Sequence, residues 1–189
     1  MTATRQRDAI DVLLAQHEQI RELFGQVTAA DGARRRELFA ELVRLLAVHE
    51  AAEEELVHPM ARKGGVVPDL VVQARLDEER QAKHHLAELY EMGTDHPQFA
   101  TGLEQLRTMV LEHADMEERE EFRAMRLAVP PGQLVELAGR VRWAEKLAPT
   151  RPHAHTPTSA AGSWITGPPM AVFDRIRDAI RDRREHRDH

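Results

Sequence analysis

The chain has 189 residues, of which 42% are apolar and 31% are charged, so it is long enough for one domain with a sizeable core and an appended segment. No stretch approaches the roughly 20 consecutive apolar residues that a membrane-spanning helix needs. A net charge of -6 argues against a general nucleic-acid binder, because the neutralisation of phosphates needs a concentrated basic face.

The number of cysteines limits the kinds of site that the chain can hold, and the first ten residues indicate its compartment. The chain contains no cysteine, which excludes a disulfide framework and a thiolate metal site. The opening MTATRQRDAI lacks the apolar region of a secretory signal, and we therefore expect a cytoplasmic protein. The unusual feature of the composition is its eleven histidines.

Four long segments carry apolar residues with a period near 3.6, and no segment shows a sustained strand-like alternation. In chain order they predict helices over residues 9–29, 34–60, 68–93 and 97–127. Glycines and prolines lie within or at the ends of the short stretches between them. Short connections favour antiparallel neighbours, so the sequence predicts an all-α protein with an up-down-up-down four-helix bundle.

The composition changes after this region. We expect the bundle to occupy residues 1–129 and a C-terminal helical extension to occupy residues 130–189. Residues 133–147 predict a fifth helix. The next stretch, APTRPHAHTPTSAAGSWITGPP, is rich in proline, glycine, serine and threonine, which is typical of an irregular linker.

The last twenty residues predict a short amphipathic helix. Phe173, Ile176 and Ile180 fall on one helical face, with arginine and aspartate around them. We expect this apolar stripe to dock on the bundle. The alternatives are a protein partner or a membrane surface.

Histidines interrupt the apolar faces of two predicted helices. Positions seven apart share a helix face, so each polar residue can be tested against its neighbours at that distance. By this test His17 lies on the same face as Ile10 and Phe24, and His49 lies on the same face as Leu42 and Leu56. Both histidines are therefore predicted to face the core.

Two acids and a third histidine pass the same test. Glu53, His113 and Glu117 each follow an apolar residue by seven positions, namely Leu46, Leu106 and Val110. An HxxxE pair alone is weak support for a site, because ion pairs at this spacing are common on exposed helix faces. The two pairs formed here differ from such surface pairs because they lie on core faces.

The third helix should supply a matching inward residue. His17 precedes His49 by 32 residues, and Glu79 precedes His113 by 34. Val72 and Leu86 share a face with Glu79, which predicts that its carboxylate points inward.

Three other residues remain to be assigned. Glu78 and His84 are the alternatives to Glu79, although His84 shares its face with Asp77 and Glu91 and is expected to be solvated. His58, beside a proline near a helix end, is expected to be a packing or rim residue.

Several ionisable groups buried together would each cost several kcal/mol without compensation, which predicts a bound metal. Imidazole suits iron, zinc, copper or nickel, and carboxylates can bridge two cations. The predicted ligands, which suit a dinuclear site, are His17, His49, Glu53, Glu79, His113 and Glu117. A mononuclear or zinc-substituted site and a metal-free polar network are the alternatives.

Three segments, QHEQIRELF, HEAAEEELVHP and HADMEEREEF, resemble the hemerythrin-like, or HHE cation-binding, family over roughly residues 8–128. The resemblance implies a four-helix bundle that holds two iron ions with an oxo or hydroxo bridge. It also implies that His17, His49 and His113 are terminal ligands and that Glu53 and Glu117 bridge the irons. Family members bind or react with oxygen, peroxide or nitric oxide, or sense iron.

The sequence departs from the family in the third helix. Glu79 stands where the family commonly has a histidine. An additional carboxylate favours the ferric state, so the ligand set resembles the oxygen-activating carboxylate di-iron proteins more than the reversible oxygen carriers.

We therefore expect a di-iron protein that reacts with dioxygen or hydrogen peroxide and handles oxidants, with catalase- or peroxidase-like activity as the specific hypothesis. No catalytic residue is expected beyond the metal ligands. The alternative is a non-catalytic sensor of iron, oxygen, redox state or nitric oxide, in which the C-terminal tail contacts a protein partner. The expected partner is thus a small oxidant, with neither nucleic acid nor a membrane span.

Overall fold

The computed structural model describes residues 6–147 and 169–186, and within these ranges the secondary structure is helical apart from short connections. In chain order the helices are α1 (Ala9–Ala29), α2 (Gly32–Ala52), α3 (His58–Arg62), α4 (Asp69–Met92), α5 (Phe99–Met116), α6 (Phe122–Ala128), α7 (Pro131–Leu147) and α8 (Pro169–Glu185). Two π-helical turns, π1 (Glu53–Val57) and π2 (Glu117–Glu121), join α2 to α3 and α5 to α6.

The predicted four-helix bundle is confirmed. Its members are α1, the continuous rod α2–π1–α3, α4, and the continuous rod α5–π2–α6. α1 packs on α2 and on α5, and α4 packs on α5. Phe24, Phe99 and Phe122 are among the largest fully buried side chains of the core between them.

Local signals account for the helix ends. Asp8 caps α1, because its Oδ1 accepts the backbone N–H of Asp11 at 3.0 Å while Asp11 Oδ2 accepts that of Asp8 at 3.1 Å. α4 ends at Gly93, whose φ of 81° lies in the left-handed region that glycine adopts without strain. The predicted bounds of the bundle helices therefore lie within a few residues of the observed ones.

The π-turns change the register of the two rods. In π1 the backbone N–H of His58 donates to the carbonyl of Glu53, and in π2 that of Phe122 donates to the carbonyl of Glu117. These bonds span five residues instead of the four of an α-helix. Each turn thus holds one extra residue, which rotates everything after it by about 100° relative to an uninterrupted helix.

The C-terminal extension packs on the bundle. α7 lies against α1 and α2, and α8 lies against α2 and α4. Phe173, Ile176 and Ile180 are buried in that contact, in agreement with the docking interpretation of the apolar stripe. Nearly all of the predicted linker, residues 148–168, lies outside the described residues, and the division of the chain at residue 129 stays a prediction.

Among the helices of residues 6–147 and 169–186, none combines the length and the apolar composition that a membrane span requires.

Candidate metal centre

The six residues predicted as ligands come together in the interior of the bundle. Their ligand atoms form two groups, and within each group these atoms lie within 4.8 Å of one another. The first group is His17, His49, Glu53 and Glu117, and the second group is Glu53, Glu79, His113 and Glu117. None of the six is more than 6% exposed. Glu53 and Glu117 belong to both groups, as residues that bridge two cations would.

In the first group two imidazoles face each other. His17 Nε2 and His49 Nε2 are 3.0 Å apart, so at most one of them can carry a proton there. His49 Nε2 lies 3.2 Å from Glu53 Oε2, and His17 Nε2 lies 3.5 Å from Glu117 Oε2. A cation at this point would be surrounded by two nitrogens and two carboxylate oxygens.

In the second group carboxylates predominate. His113 Nε2 lies 3.5 Å from Glu117 Oε2, and Glu79 reaches the group from α4. The Nζ atom of Lys83 lies 3.4 Å from Glu79 Oε2 and 3.4 Å from Glu50 Oε2, and it also pairs with Glu54. The second group therefore carries one imidazole, with a buried ammonium beside it.

Each predicted histidine has an outer hydrogen-bond partner at Nδ1. Metal-binding histidines usually make such a bond, because it fixes the ring and leaves Nε2 free for the metal. The Nδ1 contacts are His17 with Glu118 Oε1 at 2.9 Å, His49 with Gln16 Oε1 at 2.8 Å, and His113 with Glu78 Oε2 at 3.1 Å. We call Glu118, Gln16 and Glu78 the orienting residues.

The geometry distinguishes the three candidates in the third helix. Glu79 is buried inside the second group, whereas Glu78 has a side chain that is 38% exposed and holds His113 from outside. His84 is exposed, as its neighbours at heptad distance predicted. Of the three, Glu79 is thus the one whose carboxylate faces the interior layer.

The central carboxylates lack hydrogen-bond partners. Both oxygens of Glu53 and both oxygens of Glu117 are buried without one, and so is Nε2 of His113. A buried polar group without a partner costs about 1–3 kcal/mol, and more when it is charged. These atoms all point into the layer shared by the two groups, so the residues fit a pair of bound cations.

The pKa values of Glu53 and Glu50 reflect burial without compensation, whereas burial of Glu117 is outweighed by His113 and His17, which lower its pKa below 4.5. Burial, reinforced by the negative charges of Glu117 and Glu79, raises the pKa of Glu53 well above 4.5. Burial also raises the pKa of Glu50 from 4.5 to about 8, against the opposing charge of Lys83. A divalent cation would lower these pKa values again, because its positive charge would stabilise the ionised carboxylates.

The histidines differ in whether their surroundings favour the neutral or the protonated ring. Burial and the neighbouring His17 lower the pKa of His49 well below 6.5, which keeps this imidazole neutral and able to act as a ligand. Burial opposes protonation of His113 as well, but the charge of Glu117 and a hydrogen bond to Glu78 raise its pKa from 6.5 to about 9. Its proton would have to leave Nε2 when a metal binds.

His58 was wrongly predicted to be a packing or rim residue. It is 2% exposed, its Nε2 lies 2.7 Å from Glu79 Oε1, and its Nδ1 lies 2.9 Å from Glu121 Oε1. In an uninterrupted α-helix it would lie about 180° around the axis from His49. The extra residue in π1 removes about 100° of that offset, a change that heptad counting cannot detect.

Glu121 is a second residue that the sequence reasoning missed. It is fully buried, and together with His58 and Glu117 it forms a third group of ligand atoms within 4.8 Å of one another. One signal was present in the sequence, since Glu121 follows Ala114 by seven residues and Glu117 by four.

Two cavities lie next to the layer. A surface cavity of about 390 Å³ between α4 and α5 is lined by Glu78, Met109, Met116 and His113, among others. An interior void of about 10 Å³ is lined by His17, His49 and, again, His113. His113 therefore lines both the surface cavity and the void, and the void has room for about one water-sized molecule.

Comparisons with known proteins agree with this geometry. The profile of the hemerythrin HHE cation binding domain matches residues 8–125. A crystal structure of a hemerythrin HHE cation binding domain-containing protein from Mycobacterium kansasii superposes with a TM-score of 0.71 and 22% identity, over 89% of this chain and 98% of that one. This likeness supports the fold.

A relative named DNA nickase, from Nostoc sp., is 27% identical over 117 residues, which is 61% of this chain. The chain spans 33% of the length of that relative. The family profile covers well over half of the chain. Its matched range includes every histidine and glutamate of the two ligand groups. The chain belongs to the hemerythrin HHE cation-binding domain family.

Proposed function

We propose that the chain holds two iron ions in the layer formed by the two ligand groups and uses them to react with hydrogen peroxide or dioxygen. The observation that supports this most strongly is the set of four buried oxygens of Glu53 and Glu117 without hydrogen-bond partners. Carboxylates common to both groups are suited to bridge two cations.

The charge balance also favours two cations. The two groups together contain three glutamates, and Glu50 and Glu121 are buried beside them. Lys83 is the buried ammonium in contact with Glu79 and Glu50. If all five carboxylates are ionised, the net charge with Lys83 is -4, which two divalent ions would neutralise and a single ion would only halve.

The donor set is compatible with iron. Imidazole nitrogens suit iron and zinc, carboxylate oxygens suit manganese, and the matched domain is a cation-binding one. Bound iron would supply the redox chemistry with the oxidant. The protein would contribute the ligands, the orienting residues and a dry interior.

The void beside His17, His49 and His113 supports a small substrate. Its volume of about 10 Å³ has room for about one water-sized molecule, so only a substrate of a few atoms could approach the layer there and larger organic substrates are excluded. His113 lines both the void and the surface cavity, so we assign that cavity as the access route for the oxidant.

The test is iron content measured together with peroxide consumption. Purified wild-type protein should contain about two iron ions per chain and degrade hydrogen peroxide faster than His49→Ala. His84→Ala is the matched control, since His84 is exposed and outside both groups. Equal rates in wild type and His49→Ala would refute the activity, and a single ion or zinc in the purified protein would refute the di-iron centre.

A non-catalytic sensor is the second candidate function, and the position of α8 favours it. Arg181 in α8 lies 2.6 Å from Glu55, and Arg177 lies 3.7 Å from Glu54. Both glutamates belong to π1, next to Glu53. A change in the metal layer could therefore alter how the C-terminal helix docks and how it meets a protein partner.

Limited proteolysis with and without iron tests the sensor function. A sensor should show slower cleavage near the C-terminus when iron is bound, together with little turnover of peroxide. Cleavage that does not depend on metal, combined with brisk turnover, would refute it.

A further inference from the structure

We propose that His58 is a fourth histidine ligand of the centre and that it binds the metal held by the second group through its Nε2. This inference rests on the dinuclear centre proposed above. It adds a ligand that neither heptad spacing nor the family resemblance assigned.

The position of Nε2 is the first argument. It lies 2.7 Å from Glu79 Oε1, a little less than the roughly 2.9–3.5 Å that bonds of about 2.0–2.2 Å would leave between two ligand atoms of one metal, so a small outward shift would admit the ion. A ring nitrogen of His58 also lies within 4.8 Å of a Glu117 oxygen, and Glu117 belongs to the second group. His58 therefore adjoins two members of that group.

The position of Nδ1 is the second argument. Nδ1 of His58 lies 2.9 Å from Glu121 Oε1, and Glu121 is fully buried with its other oxygen, Oε2, lacking a partner. The three histidines already assigned have the same arrangement, with Nδ1 held by an oxygen of an orienting residue and Nε2 directed at the layer. Glu121 is thus the orienting residue of His58.

The donor balance is the third argument. The first group offers two imidazoles and two carboxylates, whereas the second offers one imidazole and three carboxylates. His58 supplies the second imidazole. Each metal would then have two imidazoles, with Glu53 and Glu117 between the metals and Glu79 as the additional carboxylate.

The π-turns explain how this pair is built. π-turns are rare and occur frequently at functional sites. Here π1 rotates His58 toward the layer, and π2, which begins at Glu117, ends at Glu121. The two interruptions therefore lie at the same level and bring the ligand and its orienting residue together.

A different role would give the same contacts. His58 could donate both N–H groups, one to Glu79 and one to Glu121, and support Glu79 without touching the metal. The experiment must therefore detect a metal–nitrogen bond to His58, because loss of activity or stability alone would not distinguish the two roles.

Cobalt(II) provides such a readout. Co²⁺ accepts imidazole and carboxylate ligands, and its unpaired electrons strongly shift the NMR signal of the remaining ring N–H of a directly bound histidine. The full chain, with ¹⁵N-labelled histidine, would be loaded with two Co²⁺ per chain. We expect one strongly shifted N–H signal from each of His17, His49, His113 and His58.

Variants assign the signals. His58→Gln should lose the fourth signal and bind the second Co²⁺ at least tenfold more weakly, by calorimetric titration. Glu121→Gln should keep the signal of His58 but let its N–H exchange faster with water. His85→Gln is the control, because His85 is half-buried, contacts the carbonyl of Gly102 and lies outside the ligand groups.

Three shifted signals in the wild type would overturn the proposal and assign His58 as a hydrogen-bond partner of Glu79, while the dinuclear centre would stand. Four signals that persist in His58→Gln would overturn it too. Binding of fewer than two Co²⁺ by the wild type would refute the dinuclear centre itself and this inference with it. If His58→Gln does not fold, the wild-type count alone decides.

Discussion

Glu53 and Glu117 lie at the centre of the layer, where both ligand groups share them. Both are fully buried, and none of their four carboxylate oxygens has a hydrogen-bond partner. At Glu53 the cost of burial must be met by protonation or by a cation, whereas at Glu117 burial is outweighed by His113 and His17, which lower the pKa of that carboxyl. The same feature that destabilises the metal-free protein thus provides the affinity for metal.

Glu53→Gln should therefore have opposite effects on the two forms of the protein. Glutamine imitates the protonated carboxyl, so the metal-free variant should melt higher than metal-free wild type, by roughly 2–4 °C for each kcal/mol relieved. The iron-loaded variant should melt lower than iron-loaded wild type, because a ligand common to both groups is lost. Calorimetry of both forms checks this, with exposed Glu22→Gln as the control.

Equal shifts of the same sign in both forms would contradict this account of Glu53. They would mean that the substitution acts through packing and has no specific connection with the metal.

The metal-free protein should lose stability as the pH rises from 7 to 9.5. Burial opposes protonation of His58, but its contacts with Glu121 and Glu79 raise the pKa from 6.5 to about 10, and His113 is raised to about 9. The stability from such a raised pKa is fully present below pH 6.5 and is lost as the pH rises through the folded value. Thermal melts across this range should fall, and His58→Gln should show a shallower fall.

A melting temperature that is independent of pH in this range would contradict the protonated state of His58. A slope in His58→Gln equal to that of wild type would do so as well.

At the scale of single residues, the sequence predicted the interior layer because its signal is local. Glu79 shares a face with Val72 and Leu86, and this face does point inward. The orienting residues Gln16 and Glu78 could not be predicted in the same way, because their role depends on which neighbouring helix they reach. That information exists only once the helices have packed.

At the scale of elements, helix positions were predictable and helix register was not. Apolar periodicity and end signals located each bundle helix to within a few residues. No comparable sequence signal marks the π-turns, since one extra residue within a helix changes neither its composition nor its apolar character. The inward rotation of His58 was missed for this reason.

The docking of α8 provides a prediction at this scale. Ile176→Ala removes a buried side chain, and such losses cost about 2–5 kcal/mol, so the amides of α8 should exchange with solvent much faster. Arg181→Ala removes a partly exposed ion pair with Glu55 that is worth about 1 kcal/mol or less. Hydrogen exchange followed by mass spectrometry distinguishes the two.

Equal acceleration of exchange in both variants would contradict a docking contact governed by the apolar stripe. It would indicate that charge pairs hold the helix in place.

At the scale of the whole molecule, the extension and the metal layer stabilise the same part of the bundle. α7 meets α1 and α2, and its Glu145 accepts a hydrogen bond from Gln16 at 2.8 Å. Gln16 in turn orients His49. The extension therefore supports the site through a chain of direct contacts, whereas the sequence alone predicted only that the apolar stripe of its last helix docks on the bundle.

Removal of the metal should lower the stability of the entire chain. A ligand present at 100 times its dissociation constant stabilises the folded state by about 2.7 kcal/mol, which corresponds to several degrees for a chain of this size. Iron-loaded protein should therefore melt well above chelated protein, and iron should restore the difference. An unchanged melting temperature after complete removal of iron would contradict a structural contribution of the metal.

The most direct test of the central claim is anomalous X-ray diffraction at the iron absorption edge, from crystals of iron-loaded protein. The account predicts two peaks roughly 3.5–4 Å apart, one beside Nε2 of His17 and His49 and the other beside Glu79 and His113. A layer without any anomalous peak, or iron bound only at the surface, would contradict it.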